Sequence, residues 1–172
     1  VVGDELAEVA KRFGTPRRTV LLASSGARPT ASAAPLEIAD DPCHVLLSGT
    51  GLIARTTNAE PLGQTETRAA HDVITSMITT TARADLGVIT SAGRLLRMNA
   101  IDLPTLADVA GAPNLQGGAP LAELIMLEAG ERALALTTLD PDGPGLAVGT
   151  AGGVVKRVLP EAVNKDAWEI IR

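Results

Sequence analysis

The chain has 172 residues and a net charge of −5, with 45% hydrophobic residues but one Phe, one Trp and no Tyr. Its core must be aliphatic, and the scarcity of rings argues against single-strand nucleic-acid binding, which relies on stacked aromatics. The single cysteine, Cys43, rules out an internal disulfide and fits a reducing cytosol; no uncharged apolar run approaches the roughly 18–20 residues of a membrane helix, and no signal peptide opens the chain.

Residues 4–13 read as a helix. Asp4 can cap it, and Leu6, Val9, Ala10 and Phe13 recur on one face. Gly14 and Pro16 end it, with Gly14 expected in the left-handed cap conformation. A helix this short needs a surface for its apolar face. Residues 17–22 look extended, so 1–22 form one segment. The small, polar, Pro-bearing stretch 23–35 reads as a linker, and 23–43 lead into a strand-rich domain over 44–172.

Within that domain one pattern occurs three times: an apolar strand, a four-residue turn closing on Gly, and a second apolar strand. The copies are Leu46 to Arg55, Val88 to Arg97 and Ala147 to Lys156. Glycine there suits a type I turn followed by a left-handed residue. Taking Gly51, Gly93 and Gly152 as the closing residues, a cation follows four places later in each copy: Arg55, Arg97 and Lys156. The hairpins span about 44–57, 86–99 and 145–159. Further strands are expected over 73–82, 121–127 and 132–139, with a turn at Glu128–Glu131.

Units of about 40–50 residues with roughly four strands each match a propeller-like array. The expected architecture is all-β: about three blades, preceded by a short N-terminal helix. The apparent start of another strand at Trp168–Ile171 makes the sequence read as a fragment. An open array leaves unpaired strand edges, so self-association or poor stability is expected.

Catalytic chemistry finds no constellation. Ser48 and Ser91 are turn residues, and no Gly-x-Ser-x-Gly elbow exists. Cys43-His44 and His71-Asp72 are adjacent pairs that a strand would point to opposite faces, so no metal site is expected. Gly143–Gly145 and Gly149–Gly153 match neither phosphate-loop nor dinucleotide spacing. The recurring cations are different. One alone could be a solvated charge at a strand end, but equivalent positions in a repeat array lie along one arc. That suits sequence-independent contact with the phosphate backbone of duplex DNA. Arg55, Arg97, Lys156 and Arg157 are the leading candidates, with Arg83 and Arg94 in support.

Three stretches resemble the C-terminal region of the DNA-cleaving subunit of the bacterial type IIA topoisomerases, DNA gyrase and topoisomerase IV. Asp4–Thr19 is similar to the returning end of that subunit's coiled-coil tail. The hairpins, with Gly152-Gly153-Val154-Val155-Lys156-Arg157 a close fit, resemble its repeated blade core. Asn114–Gly118 followed by Leu127–Arg132 resembles the segment between hairpins. The resemblance implies a β-pinwheel whose basic rim binds and bends duplex DNA within an ATP-dependent isomerase that passes one duplex through another. It implies partners in the ATP-hydrolysing subunit of that enzyme, together with a second copy of the cleaving one, and a cytoplasmic, nucleoid-associated location. Strand cleavage in that family uses a tyrosine, which this chain lacks, so the chain itself is expected to be non-catalytic and without a cofactor, ATP and Mg2+ belonging to other parts of the parent.

Two departures point to weaker bending than in a supercoiling gyrase. No Gln-Arg-Arg-Gly-Gly-Lys-Gly-like box is present, and acids outnumber bases from His44 onward. The rival reading is a propeller-like protein-interaction module whose acidic strip, Glu123 to Asp142, meets a basic partner.

Overall fold

The computed structural model describes residues 2–14, 39–63, 69, 73–107, 112–159 and 165–172. The chain forms two compact units, Val1–Leu36 and Glu37–Arg172. The segment 17–22, the linker 23–35 and His71-Asp72 lie outside the described residues.

The first unit contains helix α1 (Val2–Phe13). It starts earlier than expected, so Asp4 sits in the first turn beside Glu5, where carboxylates face the positive end of the helix dipole. Gly14 closes the helix by donating to Ala10 O at 2.8 Å without adopting a positive φ. Leu6, Val9 and Phe13 are all exposed, and the Arg12 guanidinium lies 5.8 Å from the Phe13 ring centroid.

Among the described residues the second unit has ten strands: β1 (Pro42–Ser48), β2 (Leu52–Arg55), β3 (Ile74–Thr81), β4 (Asp85–Thr90), β5 (Arg94–Asn99), β6 (Ala119–Pro120), β7 (Ala133–Thr138), β8 (Leu146–Gly149), β9 (Val155–Val158) and β10 (Ala167–Glu169). They form two four-stranded sheets, ordered β3-β1-β2-β6 and β10-β5-β4-β7, and a two-stranded sheet β8-β9. The expected strand over 121–127 is instead a short helix, α2 (Leu121–Leu124), followed by irregular chain. The Pro120 ring has no N–H for a ladder, and its fixed φ suits a helix start.

The strands interleave. Each four-stranded sheet is a hairpin, plus a third strand on the first strand's outer edge, plus a fourth strand donated from beyond the next hairpin. β6, which follows the β4-β5 hairpin, closes the first sheet on β2; β10, which follows the β8-β9 hairpin, closes the second on β5. The closures share their register. Leu121 donates to Gly51 O at 2.9 Å and Ile170 donates to Gly93 O at 2.8 Å, and both side chains are buried. The segment Trp168–Ile171 is therefore the end of the second sheet.

Alternation along the strands divides the core. One face of the first sheet (Val45, Leu47, Ile53) packs with Leu86, Val88, Leu96 and Met98 of the second, joined by Leu103, Leu121 and Leu136. The other face (Leu46, Ala54) is covered by Leu106 and Leu115. Outer strands of the two sheets are linked where Leu136 N–H donates to Ser76 Oγ at 2.9 Å. Each aliphatic side chain so buried contributes about 1.5–3 kcal/mol, which is how a chain with two aromatic residues holds two sheets together.

Candidate nucleic-acid interface

The three hairpin turns share one construction. The turn opens with Ser48, Thr90 or Thr150, whose hydroxyl accepts the N–H of Leu52 (3.0 Å), Arg94 (3.3 Å) or Val154 (3.2 Å). It closes with a left-handed glycine at φ +83 (Gly51), +74 (Gly93) or +85 (Gly153). That corrects the third copy: the closing residue is Gly153, not Gly152. The strand register agrees, since Val45 faces Arg55, Gly87 faces Arg97 and Ala147 faces Arg157. The repeated cation is thus Arg55, Arg97 and Arg157. Lys156 belongs to the opposite face, in the position that Ala54 and Leu96 fill as buried residues.

These equivalent arginines have different surroundings. Arg97 forms an ion pair with Asp85; this hydrogen bond, more than charge alone, holds the Asp85 carboxyl below its ordinary range and raises the guanidinium. In the first hairpin the place of Asp85, two residues before the cation's cross-strand partner, is held by Cys43, and in the third by Gly145. Arg55 consequently has no carboxylate partner among the described residues; it is half-buried, with its Nε enclosed and without a hydrogen bond. Burial pushes the neighbouring Cys43 thiol up, against the Arg55 charge. Arg157 is exposed and donates from Nη2 and Nε to Pro144 O, at 2.8 and 3.2 Å. Lys156 is exposed beside it.

Arg94 is engaged more fully than Arg97. Its guanidinium pairs with Glu131 through two nitrogens, reaches Glu128 Oε1 at 3.3 Å and donates to Met126 O at 3.4 Å. The Glu131 side chain is only 2% exposed. It also accepts from the Thr90 hydroxyl and from Glu128 N–H at 2.8 Å. With Arg94 as the chief cause, its pKa falls to about 2. Arg94 therefore ties the loop before β7 to the second hairpin. Arg83 is exposed between β3 and β4, and its backbone N–H donates to Asp40 Oδ1 at 2.8 Å. Hydrogen bonds from the Thr81 hydroxyl and Arg83 N–H, with the Arg83 charge, lower the Asp40 carboxyl.

Of the six cations nominated from sequence, Arg94 and Arg97 are neutralised, while Arg55, Lys156 and Arg157 have no carboxylate partner among the described residues. Sequence reading missed the clasp by Glu131, which is distant from Arg94 along the chain. It also missed Asp85 as the partner of Arg97. His44, buried, shares a hydrogen bond with Thr79 Oγ1 at 3.0 Å and with Glu60 O at 3.1 Å, so both ring nitrogens are structurally occupied. Among the described residues no group of three or more His, Cys, Asp or Glu side chains could hold a metal, and no helix is long and apolar enough to cross a membrane.

Comparison with solved structures gives a similar fold. The structure of the E. coli ParC C-terminal domain matches with a TM-score of 0.52 and 20% sequence identity, over 67% of this chain and 44% of that chain. The fold is a β-pinwheel. Less than half of the ParC domain's length is thus matched. No family model matches the sequence, and no curated protein matches it.

Proposed function

We propose that the second unit is a duplex-DNA-binding pinwheel from the cleaving subunit of an enzyme of the type IIA topoisomerase kind. The observation that carries this reading is the repeat itself. Interleaved sheets with the fold of the ParC C-terminal domain place Arg55, Arg97 and Arg157 at one register position, and two of these arginines lack an acidic partner among the described residues. Cations at equivalent places along an array suit phosphates spaced along a duplex, and they read no sequence.

The proposed role is presentation of DNA to a parent enzyme that changes topology by passing one duplex through another. The chain takes no part in strand cleavage and needs no cofactor; ATP and Mg2+ act elsewhere in the parent. The proposed partners are duplex DNA, the ATP-hydrolysing subunit of the parent enzyme, plus a second copy of the cleaving one, in the cytoplasm at the nucleoid. Neutralisation of Arg94 and Arg97 leaves the contact to Arg55 and Arg157, with Arg83 in support, while Lys156 is exposed on the opposite face of β9. Binding is accordingly weaker than in a tightly wrapping gyrase, closer to that of a topoisomerase IV. Fluorescence titration with duplexes of equal length and unrelated sequence tests this: equal affinities are expected, and sequence preference or no binding refutes it.

A second reading has its own support. Arg94 pins the loop carrying Met126, which is 91% exposed between Glu123 and Glu128. A preorganised apolar tip flanked by acids suits a basic protein partner.

A further inference from the structure

We propose that a cavity of about 410 Å³ between the first hairpin turn and the start of β7 binds a small amphipathic anion, an apolar chain or ring carrying one carboxylate.

The cavity lies within the second unit, walled by the turn 48–51, the start of α2, Leu127 and the run 131–134. Its volume falls in the range of about 300–1,000 Å³ that holds small ligands. Pro120, Leu121, Leu127, Ala133 and Leu134 give it a hydrocarbon lining, and Leu134 is exposed. Apolar surface of this kind gains from any hydrocarbon that takes the place of water on it. The walls are also fixed in place. Leu121 N–H donates to Gly51 O at 2.9 Å, and Gly49 N–H donates to Val73 O at 2.7 Å. The Arg94–Glu131 clasp holds the remaining wall, so a ligand has little chain to order.

The polar groups that line it decide the charge of the ligand. Glu131 is saturated: Oε1 accepts from Arg94 and Thr90, and Oε2 accepts from Arg94 and from Glu128 N–H. The Thr75 hydroxyl donates to Leu47 O at 3.2 Å. Ser48, buried, accepts the Leu52 N–H and shares one hydrogen bond of 3.0 Å with the Thr50 hydroxyl. Whichever of these two donates, the other keeps an O–H proton with no acceptor among the described residues. Arg132 adds a guanidinium with no carboxylate partner among the described residues. Spare donors beside a saturated carboxylate suit an anion and give a cation nothing to bind.

The site is separate from the proposed DNA contact. Arg132 immediately precedes β7, outside the register position shared by Arg55, Arg97 and Arg157. Its backbone N–H donates to Ser91 Oγ at 3.0 Å, which anchors it at the second hairpin turn. A carboxylate with a hydrocarbon tail meets both kinds of lining: the tail covers Leu121, Leu127 and Leu134, and the head takes the donors of Thr50 and Arg132.

Titration of the isotopically labelled full chain with octanoate, followed through its amide NMR shifts, tests the proposal. Octanoate is expected to move the amides of Thr50, Ala122, Leu127 and Leu134 along one saturating curve. Octylammonium, with the same tail and the opposite charge, should bind about tenfold more weakly or not at all. Arg132→Gln and Thr50→Val each remove one donor and should weaken octanoate about tenfold, the scale of a lost hydrogen bond to a charged group. Thr50 and Arg132 are both exposed, and a second variant is there should either one fail to fold. Absence of shifts at the lining amides, equal affinity for octylammonium, or wild-type affinity in the folded donor variants overturns the proposal.

Discussion

Arg97 and Asp85 form an ion pair across the β4-β5 hairpin, at the register position that Arg55 and Cys43 hold in the first hairpin. One repeat position thus serves two purposes: in the second hairpin the cation is tied to its own sheet, and in the first it has no acidic partner among the described residues.

This difference separates stability from binding. Arg97→Ala should lower stability by about 0.5 kcal/mol, the scale of a partly exposed pair, and leave duplex affinity unchanged. Arg157→Ala should leave the melting temperature unchanged and weaken duplex binding for all sequences alike. Thermal unfolding and fluorescence titration of the two variants side by side check the pattern. Equal losses of affinity would show that Arg97 leaves Asp85 for DNA.

Glu131 gives the second sheet an acid-sensitive clasp. Its folded-state pKa is about 2 against an ordinary value of 4.5. A depressed carboxylate pKa contributes stability that is present above the ordinary value and lost as pH falls from about 4.5 to about 2. Glu131→Gln should cost about 2 kcal/mol at neutral pH, since it leaves the donors of Arg94, Thr90 and Glu128 poorly matched. It should also flatten the acid limb of the stability curve. Urea unfolding at a series of pH values measures both effects; an unchanged acid limb would count against the clasp.

The closing glycines predict a graded series. At Gly51 an added Cβ meets nothing within 4 Å, so Gly51→Ala costs only the left-handed backbone penalty at φ +83, about 1–2 kcal/mol. At Gly93 the same atom would lie 2.0 Å from Ile171 O, just beyond the donated strand β10. Gly93→Ala should therefore cost well over twice as much and expose Trp168, whose fluorescence reports release of β10. Equal costs at the two sites would contradict the interleaved closure.

The hairpins were legible because their signals are local: a Ser or Thr opening the turn, a glycine closing it, and aliphatic strands on either side. Where two glycines adjoin, at Gly152-Gly153, local signals leave the register open by one residue, and a one-residue slip moves a side chain to the other face. That slip put Lys156 in place of Arg157. The donated strands were hard to read because β6 is only Ala119–Pro120, too short for any periodicity. Its partner β2 lies far back along the chain. The Arg94–Glu131 clasp escaped for the same reason. A count of charges along the sequence cannot tell a rim cation from one already held by a carboxylate across a sheet.

The salt dependence of duplex affinity, measured for the full chain and for Arg157→Ala, bears most directly on the claim that pinwheel cations hold DNA by its phosphates. The wild-type chain should bind less tightly as salt rises, with a linear log–log plot, and the variant's slope should be shallower by about 1. Binding that is indifferent to salt, or a slope the substitution leaves unchanged, would contradict the account.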